Sequence, residues 1–432
     1  MMHKRLALLG TVLSVVLTMP VFGQRAARPT PAATPATSIQ DGATAAETFG
    51  IHALPAADDL RLGRVSVSRL RRAGFTKGVA VHKSEHGAIW IVAQAGVRDI
   101  AVARARNLLQ FYLKPRPGAG GGEVAQKQAV IARMIENNAM LMMPTGAHEE
   151  GREPRIPAQP LYESETPVDG SRWYLDNDWE HRDAAFEEIF HLVHDTGIGT
   201  DAPGAMPAYQ EALDTEARKA IKDGRWGSGD HSVKRWLREL EEENSLAQEY
   251  IASVIDSYYG LWGAFEEKPG GMWGIYCAKH RKEQKRLDSR GQELLRQFLP
   301  EYLVGYLALL DPSFDGEFLM TFDAKHAYTH KSRYLVEVRL TGTKASGIRG
   351  NDQDNVLIGN AGNNSLHGGA GKDVACFQGV RADYAITREG DAVVVRDRKA
   401  ARDGKDQLTE VEVIRFADGE IAVADALRRA KR

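Results

Sequence analysis

From Gly350 to Cys376 the chain repeats itself every nine residues, and no other feature limits its fold as strongly. The first unit runs from Gly350 to Ile358, the second from Gly359 to His367 and the third from Gly368 to Cys376. Gly350, Gly359 and Gly368 open the units and allow turns that side chains would block. The sixth place holds Asn355, Asn364 and Asp373, and the eighth holds Leu357, Leu366 and Ala375. A short apolar strand between Gly-rich loops can bury its apolar residue only by stacking on its neighbours. The period therefore predicts a roll of parallel strands. Loop carbonyls, Asp354 and the sixth-place side chains offer oxygen ligands, which a hard cation such as calcium prefers over nitrogen or sulfur.

These units resemble the RTX (hemolysin-type) repeat, G-G-x-G-x-D-x-U-x, across 347–377. The following β-rich tail, 378–425, resembles the segment that often accompanies such repeats, with Asp383-Tyr384, Asp403-Gly404-Lys405-Asp406 and Phe416-Ala417-Asp418-Gly419. The resemblance implies calcium binding by Asn355, Asn364, Asp373 and Asp354 with the glycines Gly350, Gly359 and Gly368. Two departures set the expected strength. The sixth place is acidic only at Asp373, and there are only three units, so one or two sites weaker than those of a long acidic array are expected. Within the tail, Glu389-Gly390-Asp391 marks a hairpin turn between Tyr384–Thr387 and Val393–Val395.

The N-terminus reads as an export signal over 1–23: His3-Lys4-Arg5 is followed by an apolar run from Leu6 to Leu17 and a small residue, Gly23. That run is too short to span a bilayer, which takes roughly twenty residues. A secreted or periplasmic protein with no integral membrane segment after signal removal is the expectation, although RTX proteins commonly leave the cell by a C-terminal signal. Ala, Pro and Thr then dominate a linker over 24–48. The formal net charge of -2 argues against a general nucleic-acid binder. Lys279-His280-Arg281-Lys282 with Lys285-Arg286 is locally basic and reads as a solvated helix face. Export permits disulfides, yet Cys277 and Cys376 are the only cysteines, and the sequence does not choose between a bridge and two thiols.

The region 49–340 mixes a few strands with many helices and is expected to be α+β. Ala88–Val92 and Ala139–Met143 read as strands, and helices are expected at 101–113, 124–136, 182–195, 206–222, 233–243, 245–261 and 284–298. In the helix at 182–195, Asp183, Glu187, His191 and His194 share a stripe, opposite Ala185, Phe186, Ile189, Leu192 and Val193. Two imidazoles among carboxylates are ligand types that suit zinc.

Glu187-Glu188-Ile189-Phe190-His191 resembles the zincin metallopeptidase motif H-E-x-x-H with Glu in place of the first His. Loosely, the layout is similar to the lethal-factor-like branch. The resemblance implies zinc held by Glu187 and His191, Glu188 as general base, and a third ligand from a later helix. Glu249 is the candidate there, behind a capping box at Ser245–Gln248, with His194 as the alternative. A carboxylate in place of an imidazole makes bound water less acidic, and a plain i,i+4 helix pair is the competing explanation for Glu187 and His191. The reading implied is a secreted calcium-binding protein with a zinc-dependent hydrolase acting on a protein or peptide substrate. Its alternatives are a non-catalytic adhesion or matrix protein, and a degenerate peptidase that binds metal without turnover. His326, Tyr328 and His330 read as strand-loop packing, with orienting a substrate or stabilising an oxyanion as the alternative, and Tyr258, Tyr259 and Trp262 read as core or an aromatic cleft wall.

Overall fold

The computed structural model describes residues 48–56, 60–149, 151–176, 183–200 and 203–430, so the expected signal and nearly all of the linker lie outside the described residues. The first sheet has five strands in the order β1 (His52–Ala53), β2 (Phe75–Ser84), β3 (Gly87–Gln94), β4 (Met140–Met143) and β5 (Gln159–Pro160). β1, β2 and β3 are antiparallel neighbours, whereas β3, β4 and β5 are parallel. A parallel step needs a crossover, and the helices α1 (Asp99–Leu113) and α2 (Gly121–Glu136) supply it between β3 and β4. Gly120 caps α2, and Gly121 and Gly122 open it.

Helices α3 (Ala185–Val193), α4 (Pro207–Lys222), α5 (His231–Glu242) and α6 (Leu246–Tyr258) follow. The expected helix at 284–298 is two helices, α7 (Arg281–Leu287) and α8 (Ser289–Phe298). The break falls at Asp288, whose buried carboxylate accepts from the Tyr250 and Tyr276 hydroxyls at 2.8 and 2.9 Å and caps α8 at Gly291 N. That carboxylate also pairs with Arg225. The capping box expected at Ser245 does not form, because the Ser245 hydroxyl donates back to Leu240 O at 3.3 Å.

The roll begins well before the nine-residue units. Strands β6 (Leu303–Leu309), β7 (Glu317–Leu319), β8 (Leu335–Arg339), β9 (Gly347–Arg349), β10 (Val356–Ile358), β11 (Ser365–His367) and β12 (Val374–Cys376) alternate between two sheets. A hairpin, β13 (Tyr384–Glu389) and β14 (Ala392–Asp397), interrupts the alternation. β15 (Lys405–Thr409), β16 (Val413–Phe416), β17 (Gly419–Ala422) and the helix α9 (Val423–Ala430) complete the chain. The sheet orders are β17-β16-β12-β10-β8-β6 and β13-β14-β15-β11-β9-β7. A boundary at 340 therefore does not separate the sheets, since β8 before it pairs in parallel with β10 after it. Sequence could not show this, because 303–339 lack the Gly-Asn-Asp composition of the repeats.

Leu357, Leu366 and Ala375 are fully buried inside the roll, together with Ile348 and Ile414. They belong to the same continuous core as α1, α3 and α6. α1 covers the roll's edge strand β6, with Asn107 donating to Leu307 O at 2.9 Å. Both cysteines are free thiols. Deep under α1, the Arg104 guanidinium donates to both Asp183 oxygens at 3.0 and 2.6 Å and lies 3.6 Å from Asp169. Removing one member of such a buried pair strands the other charge. Asp183→Ala should therefore lower stability by about 3 kcal/mol in a urea titration, and Arg104→Met with Asp183→Leu should recover part of that loss.

Candidate metal centres

Both faces of α3 are buried: Glu187, Glu188 and His191 are each less than 5% exposed. The expected polar stripe therefore faces other protein rather than water. Asp183 precedes the helix and belongs to the Arg104 pair. His194 opens a π-helical turn, His194–Gly199, and its Nε2 meets Gln210 Oε1 of α4 at 2.5 Å. Burial pushes that imidazole down to about 4, despite the Gln210 hydrogen bond. His194 thus points toward α4.

Glu187, Glu188 and His191 form one cluster, with a possible ligand atom from each lying within 4.8 Å of the others. Glu249 reaches it from α6, and its side chain is 17% exposed. His191 stands between two carboxylates. Its Nδ1 lies 3.5 Å from Glu188 Oε2, and its Nε2 lies 3.6 Å from Glu249 Oε1. Gln159 Nε2 fixes Glu188 by donating to Oε2 at 2.7 Å. Burial alone would push the His191 ring down. The charges of Glu249, Glu188 and Glu187 outweigh it and hold the ring at about 10. Two ligands on one tetrahedral zinc stand about 3.3 Å apart, close to the Nε2–Glu249 separation, and His191 Nε2 makes no hydrogen bond among the described residues. Three carboxylates also carry more formal charge than one imidazolium balances. The donor set therefore fits a divalent metal.

In the roll, parallel register stacks the sixth-place residues. Asn355 lies beside Asp373 and Asp373 beside Glu412, while Ser346 lies beside Asn364 and Asn364 beside Asp406, each one residue before the first paired positions of the two strands. Asp373 Oδ1 accepts from Asn355 N at 2.7 Å, and Asp406 Oδ1 accepts from Asn364 N at 2.8 Å. The second oxygens, Asp373 Oδ2 and Asp406 Oδ2, are buried without a hydrogen bond among the described residues. A Cβ on Gly359 would stand 2.8 Å from Asp406 Oδ2, and one on Gly368 would stand 2.5 Å from Asp373 Oδ2 and collide with Glu410 O. Glycine keeps these spaces open. Buried, unpaired carboxylate oxygens beside backbone carbonyls are a calcium donor set.

Asn355 and Asn364 behave differently. Asn355 Nδ2 donates to Asn351 Oδ1 at 2.9 Å, and its Oδ1 accepts from Asn351 N at 2.8 Å. Asn364 repeats the arrangement on Asn360, at 3.0 and 2.8 Å. Both amides are satisfied by protein alone. Gly350 packs against Asn355 Oδ1 and Gly368 O. Asp354 is exposed and accepts from Lys372 N at 2.8 Å, stitching two loops together from outside.

Residues 348–375 match the family model described as the RTX calcium-binding nonapeptide repeat (4 copies). The chain thus carries calcium-binding RTX repeats. No curated protein and no solved structure matches the chain. The family match ends before Asp406, and the sequence reading also left Asp406 and Glu412 out of the ligand set. The signal was there: Gly404-Lys405-Asp406 repeats Gly371-Lys372-Asp373. The hairpin β13–β14 inserted between them hides the period.

Burial raises Asp373 to about 6 and Asp406 to about 8, against the backbone hydrogen bonds from Asn355 and Asn364. A raised carboxyl stabilises the fold below its unfolded value of 3.8 and loses that contribution as pH rises through its folded value. In chelator, the melting temperature of the RTX roll should therefore fall between pH 5 and pH 8.5. Calcium competes with the same protons, so it should protect most at the upper end. Thermal melts of wild type, Asp373→Asn and Asp406→Asn check this. Each variant should lose calcium affinity by at least about tenfold and flatten the chelator curve.

Proposed function

We propose that this RTX-repeat protein is exported and that its α+β region is a metal-dependent hydrolase acting on peptide or amide bonds. The observation that carries the reading is the buried meeting of Glu187, Glu188 and His191 on α3 with Glu249 on α6. Glu187, His191 and Glu249 would hold the metal, which supplies a Lewis acid and an activated water when bound. Glu188 would act as base. The partly exposed Glu249 marks the side from which solvent reaches the cluster. Export is supported by the leader read over 1–23 and by the RTX repeats, which are typical of secreted proteins. No helix among the described residues is long and apolar enough to cross a membrane.

One observation favours a second reading, a metal centre without turnover. Glu188 Oε2 is held by Gln159 and faces His191 Nδ1, the position of a group that orients a metal-binding imidazole. Metal analysis of the full-length protein, purified without chelator, should find one transition metal per chain that His191→Ala and Glu249→Ala both lose. Glu188→Gln separates the two roles. A base leaves metal content intact and abolishes hydrolysis of an unfolded protein substrate. An orienting group weakens metal binding by about 10–100-fold instead. Calcium as the sole metal, unchanged in the variants, would overturn the site.

A further inference from the structure

A cleft of about 720 Å³ lies between α6–α8 and the roll, within the size range of small-ligand sites. Five cationic side chains line it: Arg281, Lys282, Lys285, Arg296 and Arg333 against the carboxylates Glu301 and Asp352. The surplus of three positive charges stands out in a chain whose formal net charge is -2. Arg281 pairs with Glu301 at 3.1 Å. The other four cations make no ion pair among the described residues, and Arg333 Nε is buried without a hydrogen bond. The basic run read as a solvated helix face is thus one wall of a concave site, facing Arg333 on the other.

The aromatic residues of the cleft position these cations. The Arg281 guanidinium lies 3.9 Å from the Tyr258 ring centroid and 4.2 Å from that of Tyr334, and Arg333 lies 5.1 Å from that of Phe322 and donates to the Tyr334 hydroxyl at 2.9 Å. Rings already engaged by guanidinium groups are poorly placed to stack on nucleic-acid bases. A peptide that docks as an added strand needs a free sheet edge. Here α1 covers β6, while the Tyr328 hydroxyl accepts from Leu319 N and the Ser332 hydroxyl donates to Leu319 O on β7. Recognition therefore falls to side chains. Cations from separate segments share the cleft with the hydroxyl- and amide-binding groups Gln292, Thr321 and Glu301.

We propose that this cleft binds an anionic polysaccharide, with the cations on its carboxylates or sulfates and the neutral and acidic groups on its hydroxyls. The test uses the full-length protein with calcium and titrates, by calorimetry, a polyuronate oligosaccharide and a sulfated oligosaccharide of equal length, with polyglutamate and single-stranded DNA as controls. Saturable binding of at least one saccharide, tighter than either control, is expected, and the comparison of the two identifies the anion. Lys282→Gln, Lys285→Gln and Arg296→Gln together change only exposed side chains and should weaken binding by about tenfold while leaving the melting temperature and calcium uptake unchanged. Raising the salt should weaken binding too. No saccharide binding, equal or tighter binding of a control, or undiminished binding by the triple variant would overturn the proposal.

Discussion

Parallel register in the roll sets each sixth-place side chain directly against the next, and the chemistry of those contacts decides where the fold needs an ion. Asn355 and Asn364 close their rungs with amide hydrogen bonds to Asn351 and Asn360. One rung further on, Asp373 and Asp406 occupy the same place and each leaves an oxygen buried and unmatched. An amide carries its own donor, whereas a carboxylate must take one from elsewhere or bind a cation. The roll is thus asymmetric along its axis. The turns next to the helical region are satisfied by protein, and the turns toward the C-terminus are the ones that call for calcium.

The helical region faces the same problem without backbone carbonyls to help. Arg104 is matched by Asp183 and Asp169 in the core, so two acidic residues there are explained by one guanidinium. The α3 cluster gathers three carboxylates round one imidazole, and buried charge of one sign is costly unless a counter-ion accompanies it. In the roll, glycine makes room beside the unmatched oxygen. On α3 the separation of His191 Nε2 and Glu249 Oε1 is close to that of two ligands on one metal, one from each of two helices.

Legibility followed periodicity. The nine-residue units announced the parallel strands and the buried Leu357, Leu366 and Ala375, because that pattern has no other way to bury its apolar positions. Helix α1 and strands β3 and β4 were readable as apolar runs. The start of the roll at Leu303 was not, since its first turns pack on α1 and need neither glycine nor acid in a fixed place. The Asp288 break was hidden because its cause is the tertiary contacts to Tyr250, Tyr276 and Arg225. At the α3 site, helical spacing put Asp183, Glu187, His191 and His194 on one stripe, and the zincin resemblance pointed to Glu249. Glu187, His191 and Glu249 come together, whereas Asp183 and His194 meet other neighbours. Spacing fixes a face of a helix. It does not say which neighbour a side chain meets across that face.

The first repeat loop links the roll to the basic cleft. Asn351 Nδ2 donates to Leu335 O at 2.9 Å and Arg333 O at 3.2 Å, so the residue that closes the first amide rung also holds the backbone beneath the unpaired guanidinium. Asp352, next in the loop, lines the cleft itself. Because that rung is closed by Asn355 rather than by an ion, the position of Arg333 does not depend on calcium. An aspartate at 355 would forfeit the amide donor and tie the shape of the cleft to calcium occupancy. Asparagine at the first two sixth places is thus more than a weakened ligand: it separates the architecture that carries the cleft from the part of the roll that responds to the ion.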